Sequence, residues 1–333
     1  MLNFLFWAMS VLCILFNPVF SQVNETDSSE IVLYFTGDVS LVNHFEQHVG
    51  DRLDYPFNKL TALSEADIFM INLESPFTVR GNPVEKQFTF RALPKYAGML
   101  KESGVDIVTL ANNHMYDYGD TGIFDTIGLL DSVGIKHVGA GRNLAEARQP
   151  VIFDIRGLKL AYLAYYGTGP HSDSHPATET NAGTAMRNLA YIKEDIAKIR
   201  DQVDYIIINF HWGLEKANYP EESEKYYARK SIDYGADLIV GHHPHVLQGV
   251  ELYKGKVIAY SLGNFIFGGN SRTFETSAVL KVLISPAKKG KYHAQIMPIG
   301  IRLWQPYFLE GQDADDVIKQ VKEYSSVFNQ SIF

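Results

Sequence analysis

The sequence has a single cysteine, Cys13, and it lies inside an N-terminal apolar stretch. No thiol is left in the body of the chain for a disulfide, a zinc-thiolate site or a nucleophile. Any catalysis must therefore run on oxygen and imidazole groups. A basic excess is missing too: 30 Lys and Arg against 38 Asp and Glu give a formal charge of −8. That argues against nucleic acid as a partner, whose backbone phosphates call for a cationic surface. At a mean hydropathy of −0.09 the chain is too polar for a polytopic membrane protein, and at 46% hydrophobic and 20% charged it is too apolar for disorder. There is no Pro/Ser/Gly-rich linker, composition break or internal repeat, which favours one large domain.

Leu2 to Phe16 is apolar except for Asn3 and Ser10 and is followed by Asn17-Pro18. Residues 1–21 read as a secretory leader with Ser21 last before cleavage. The absence of Lys or Arg before the run, and its length, leave a retained membrane anchor as the alternative. Either way the remainder is expected to work outside the cytoplasm, secreted, periplasmic or anchored. Residues 22–30 form a polar, acidic spacer, 31–303 the main domain, and 304–333 a C-terminal extension with a helix over Asp313 to Phe328.

From Ile31 onward, short β-branched runs alternate with amphipathic stretches. Strands are expected at Ile31 to Phe35, Ile68 to Leu73, Ile107 to Leu110, Val151 to Ile155, Lys159 to Tyr165, Tyr205 to Phe210, Leu238 to Val240 and Val257 to Leu262. Helices are expected at Pro94 to Ser103, Tyr118 to Val133, Ala190 to Gln202 and Glu221 to Tyr234, several stopping at a glycine. This alternation predicts an α/β layered fold with a largely parallel sheet. Ser277 to Leu283 and Gln295 to Arg302, around the Lys/Gly turn at Lys288 to Lys291, read as a hairpin of a second, partly antiparallel sheet. Gly167 to Gly183 is polar and reads as a long loop of the functional kind.

Polar clusters follow the strands: Gly37-Asp38, Asn72-Leu73-Glu74, Asn112-Asn113-His114, His211-Trp212-Gly213, Gly241-His242-His243-Pro244-His245 and Ser261-Leu262-Gly263-Asn264. Ligands of open α/β sheets bind outside the carboxyl ends of the strands. Five of the 11 histidines fall in these clusters. With Asp38 and Glu74 as carboxylates and Asn113 as an amide oxygen, the set suits Mn, Fe or Zn. In an extended segment His243 and His245 share a side and His242 faces away, which makes His242 a ligand or a hydrogen-bonded support.

These motifs, with Thr36-Gly37-Asp38, Asn72-Leu73-Glu74-Ser75-Pro76, Leu110 to His114, Gly235 to Val246 and Tyr260 to Phe265, resemble the CapA capsule-synthesis family. That family comprises poly-γ-glutamate capsule proteins of the metallo-dependent phosphatase-like superfamily. The resemblance implies a four-layer αββα sandwich, two mixed β-sheets flanked by helices, with one or two divalent ions at the strand ends. By position it implies Asp38, Glu74, Asn113, His211, His243 and His245 as ligands and His114 as the acid that protonates a leaving oxygen. Asp38-Val39-Ser40 carries Ser where the superfamily's first motif has a histidine, and Glu74 stands where an Asp is usual.

Further residues are candidates for substrate contact or support. Arg91 has a fork that matches a carboxylate or phosphate, or forms a surface ion pair. Asp117 orients His114 or caps the following helix. Ser261 and Asn264 contact substrate or shape a turn. Trp212 and Tyr165-Tyr166 read as core or rim aromatics. Three functions compete: a component of poly-γ-glutamate capsule production with a hydrolase-like cleft, acting on an anionic polymer beside membrane-bound synthesis partners; a free-standing metal-dependent phosphoesterase; and a non-catalytic polymer- or partner-binding module.

Overall fold

Strands form where the β-branched runs stand. In chain order they are β1 (Ile31–Val39), β2 (Ile68–Leu73), β3 (Ile107–Thr109), β4 (Lys136–Val138), β5 (Ala140–Gly141), β6 (Val151–Ile155), β7 (Leu158–Gly167), β8 (Gly183–Thr184), β9 (Tyr205–Trp212), β10 (Leu238–His242), β11 (Val250–Tyr253), β12 (Lys256–Ala259), β13 (Asn264–Ile266), β14 (Glu275–Ile284), β15 (Tyr292–Arg302) and β16 (Gln305–Phe308). The α-helices are α1 (Phe45–Val49), α2 (Lys95–Glu102), α3 (Gly119–Val133), α4 (Leu144–Ala147), α5 (Leu189–Ile199), α6 (Glu222–Tyr234) and α7 (Gly311–Ser325). The structure, a computed structural model, describes residues 30–167, 175–267 and 275–333. The expected leader, residues 22–29 of the spacer and residues 168–174 of the long loop lie outside the described residues.

Two mixed sheets result, with β5 and β8 as a small separate ribbon. The first sheet runs β16-β15-β14-β1-β2-β3-β4, with β13 also on β1; the second runs β11-β12-β10-β9-β7-β6. β1 to β4 are mutually parallel, as are β7, β9, β10 and β12. Side-chain alternation sets the layers. Leu33, Phe35, Ile68 and Met70 pack with Leu160, Tyr162, Tyr205 and Ile207 between the sheets. Their neighbours Tyr34, Phe69 and Ile71 face α2 and α3 through Tyr96, Leu100, Ile123 and Ile127. On the far side, Ile206 and Ile208 face Ile192, Ile196 and Ile232 of α5 and α6. The result is the four-layer αββα sandwich that the family resemblance implies.

Two expectations about the sheets are corrected. The hairpin β14/β15 joins the first sheet, not a second one, because β14 pairs antiparallel with β1 from Ile31↔Ile284 to Phe35↔Leu280. Both faces of β14 are apolar, with Leu280 and Val282 in the inter-sheet layer and Val279 in the outer one. The strand expected over Val257 to Leu262 ends at Ala259, since the chain leaves the sheet there for the turn before β13. β16 pairs with β15, and α7 adds Val317 and Val321 to the inter-sheet layer. Among the described residues no helix is long and apolar enough to cross a membrane.

Candidate metal centre

All six polar clusters end at one place, the carboxyl edge of the parallel strands, where the sheets meet. The first sheet brings Asp38, Glu74, Asn113 and His114, and the second brings His211, His242, His243 and His245. Gly37 makes the approach possible. A Cβ there would fall 2.0 Å from the Gly263 carbonyl oxygen, so only glycine lets β1 lie against the turn that precedes β13. The Asp38 amide donates to that same oxygen at 3.0 Å, and the β1–β2 register shifts between Phe35 and Asp38.

Glu74 is fully buried, and among the described residues neither of its carboxylate oxygens has a hydrogen-bond partner. Around Oε1 stand three imidazole Nε2 atoms: His211 at 3.6 Å, His245 at 3.8 Å and His114 at 4.0 Å. Burial pushes the Glu74 carboxyl well up, and the nearby Asp38 and Glu215 carboxylates push it further. A carboxylate left this way is strongly unfavourable unless a cation joins it. Two donors each about 2.1 Å from one ion at a tetrahedral angle stand about 3.4 Å apart, close to the spacings of His211 and His245. Donor atoms of Asp38, Glu74 and His211, and of Glu74, His243 and His245, converge within 4.8 Å of one another. The residues present therefore fit a divalent ion, with Glu74 common to both groups.

Asp38 behaves differently. Its Oδ1 accepts from Asn72 Nδ2 at 2.8 Å, and its Oδ2 accepts from the His243 amide at 3.2 Å and faces His245 Nδ1 at 3.0 Å. Burial alone would raise this carboxyl, yet the imidazoles of His242 and His245 hold it well below the usual carboxylate range. His245 Nδ1 also meets Asn264 Oδ1 at 3.0 Å, so the ring is anchored on that edge and turns Nε2 toward Glu74, as a carboxylate-backed metal histidine does. Asn72 Nδ2 also lies 3.2 Å from His211 Nδ1, while His211 Nε2 lies 2.8 Å from Asn113 Oδ1. Burial and the neighbouring His243 push His211 well down, which keeps its imidazole neutral.

His114 is held on three sides. Its Nδ1 lies 2.7 Å from Asp117 Oδ2, its amide donates to Asn112 Oδ1 at 3.1 Å, and its ring stacks on Phe90 with centroids 3.7 Å apart. Burial pushes its pKa down against the opposing pull of Asp117. Asp117 faces His114 rather than capping α3, whose first residue is preceded by Tyr118 without a side-chain cap.

Other expected residues sit elsewhere or act differently. Arg91 is exposed, and its guanidinium lies over the Tyr118 ring at 4.5 Å. Ser261 donates to the Val246 carbonyl and accepts from the Gly263 amide, holding the turn. Asn264 supports His245 and donates to Glu275. The extended-segment account of His243 and His245 is overturned: their φ angles are 99° and 56°, left-handed values that a non-glycine residue adopts only where its surroundings enforce them. His242 accordingly does not face away, and its Nδ1 lies 3.5 Å from Asp38 Oδ1. Trp212, Tyr165 and Tyr166 are buried as core aromatics. Sequence reasoning missed Asn72, Lys86 and Phe90. The Asn72 signal was present in its cluster; Lys86 and Phe90 come from a segment without periodicity and carry none.

The sequence places the chain among known relatives. The family described as bacterial capsule synthesis protein PGA_cap matches residues 32–269. The chain is 32% identical to the capsule biosynthesis protein CapA of Bacillus anthracis over 78% of this chain and 65% of that protein. It is 30% identical to the PGA biosynthesis protein CapA of Bacillus subtilis (strain 168) over 80% of this chain and 70% of that one, so it spans about two thirds of the length of these curated relatives. A crystal structure of a hypothetical protein from Thermus thermophilus aligns with a TM-score of 0.49 at 16% identity, covering 80% of this chain and 99% of that one. On the motifs, the layering and the family match over residues 32–269, the chain belongs to the CapA/PGA capsule-synthesis family.

Proposed function

We propose that this chain is an extracytoplasmic component of poly-γ-glutamate or related capsule biosynthesis or export, and that its cleft is a metal-dependent hydrolase centre. The observation that carries the reading is Glu74, a buried carboxylate without a hydrogen-bond partner among the described residues, ringed by imidazole nitrogens at ion-sharing distances. Asp38, Glu74, Asn113, His211, His243 and His245 would hold one or two Mn, Fe or Zn ions. When bound, the metal supplies a lowered pKa for water and positive charge for the transition state. His114 turns Nε2 into the cleft and, once that nitrogen has taken up a proton from solvent, would pass it to the leaving oxygen of a phosphoester or anionic polymer. Family kinship supports membrane-bound capsule-synthesis partners.

The test is elemental analysis of the purified protein and of His243→Ala after reconstitution with manganese, iron and zinc, with a generic phosphoester assay on the same samples. Stoichiometric metal in wild type, its loss in the variant and metal-dependent turnover are expected. No metal in either sample would overturn the hydrolase reading in favour of a binding module. Metal without turnover on any ester would confine the centre to a binding role.

A further inference from the structure

A segment without regular structure, residues 81–91, closes on the turn that carries Asn113 and His114. Its contacts converge on one residue. The Val84 amide donates to the Asp117 carbonyl at 2.9 Å, and the Phe90 amide donates to Asp117 Oδ2 at 2.5 Å. Between them Lys86, whose side chain is 7% exposed, places Nζ 2.6 Å from Asp117 Oδ1 and donates to the Asn113 carbonyl at 2.8 Å. A lysine is rarely buried this deeply, and burying its charge is unfavourable unless the ion pair is well made. Asp117 in turn meets His114 Nδ1, and Phe90 covers the ring face.

We propose that Lys86 is a positioning residue: it ties the Asn113 backbone to Asp117, so that Asp117 Oδ2 stays turned to the His114 ring, His114 keeps its hydrogen on Nδ1, and Nε2 is aimed at the cleft. This rests on the hydrolase reading for its consequence, but the geometry concerns the imidazole itself. Asp117 Oδ2 already receives the Phe90 amide, and Lys86 Nζ fixes the other oxygen of this side chain, which is 1% exposed. With Asp117 Oδ2 as acceptor on one edge, the neutral ring carries its hydrogen there, and Nε2 faces the cleft bare, so that it takes up a proton before it passes one to a leaving oxygen. Lys86 thus acts through two intervening groups and does not touch the reacting atoms.

The experiment follows the His114 ring nitrogens by 15N NMR in the full-length metal-free protein at a pH where the ring is neutral. Lys86→Met, Lys86→Gln and Lys86→Arg are compared with wild type, and each is then assayed for metal uptake and phosphoester turnover. Wild type is expected to show a single tautomer with hydrogen on Nδ1. Lys86→Met is expected to show a mixture of both, and Lys86→Arg to recover the wild-type signature. Lys86→Gln keeps a donor for the Asn113 carbonyl but not the charge, so it decides the matter if Lys86→Met does not fold. In turnover, kcat should fall at least tenfold in Lys86→Met with KM within about twofold and metal content unchanged. An unaltered His114 signature in the folded neutral variants would overturn the proposal. An altered signature in those variants, alongside a wild-type protein with no hydrolytic activity, would leave the positioning role standing and overturn the hydrolase reading alone.

Discussion

Glu74 is the side chain whose surroundings make least sense without a cation, and that gives it a pH signature. Burial and Asp38 push its carboxyl up, so the folded metal-free protein holds a proton there that the unfolded chain releases. The corresponding stability is complete below the ordinary glutamate range and is lost as pH rises through the raised value. His211, pushed down by burial, acts oppositely: its contribution is present above the ordinary histidine value and is lost as pH falls. Glu74→Gln isolates the first effect. Without metal, its stability relative to wild type should climb with pH by roughly 1–3 kcal/mol, the range for an unsatisfied buried group, as read by urea denaturation at a series of pH values. With saturating metal the order should reverse. On the hydrolase reading the two histidines separate in the same way: His114→Ala should keep its metal and lose about 10²–10⁴-fold in kcat, whereas His243→Ala should lose both, as read by metal analysis and turnover.

At the scale of elements, legibility in the sequence followed the physics of each one. Ile68–Leu73 and Val151–Ile155 have the expected bounds because an apolar run between polar residues marks a strand whatever pairs with it. β4, Lys136-His137-Val138, escaped because two of its three residues are polar and its place comes from pairing with β3. The hairpin was seen but assigned to the wrong sheet, since membership depends on β1, far away in sequence. The centre's residues were legible because each cluster closes a strand, while the left-handed backbone at His243 and His245 and the Lys86 segment arise from tertiary contacts. Two substitutions probe elements directly. Gly37→Ala should destabilise by about 3 kcal/mol, the upper end for overpacking, and weaken metal binding, because the new Cβ meets the Gly263 carbonyl. Asn188→Ala removes the side chain that caps α5 and should remove about 1 kcal/mol without altering metal content, both read by denaturant titration.

For the whole molecule, the centre is a seam: its donors are divided between two sheets that otherwise meet chiefly through apolar packing. Metal should therefore stabilise the entire fold by about 2.7 kcal/mol at a free concentration one hundred times Kd. Hydrogen exchange should slow at the carboxyl ends of strands in both sheets rather than one. The first sheet also sets an order of events. β1, which bears Asp38, lies between β2 and β14, with Ile31 opposite Ile284, and contacts so distant along the chain form late. A nascent chain that has emerged only as far as β12 can hold most of the histidines yet has no completed sheet to carry the first carboxylate. On the proposed reading, an ion would be acquired where the chain finishes folding, and were the chain to cross a membrane unfolded, its identity would be chosen by the metals of the destination compartment, not by those of the compartment where it was made.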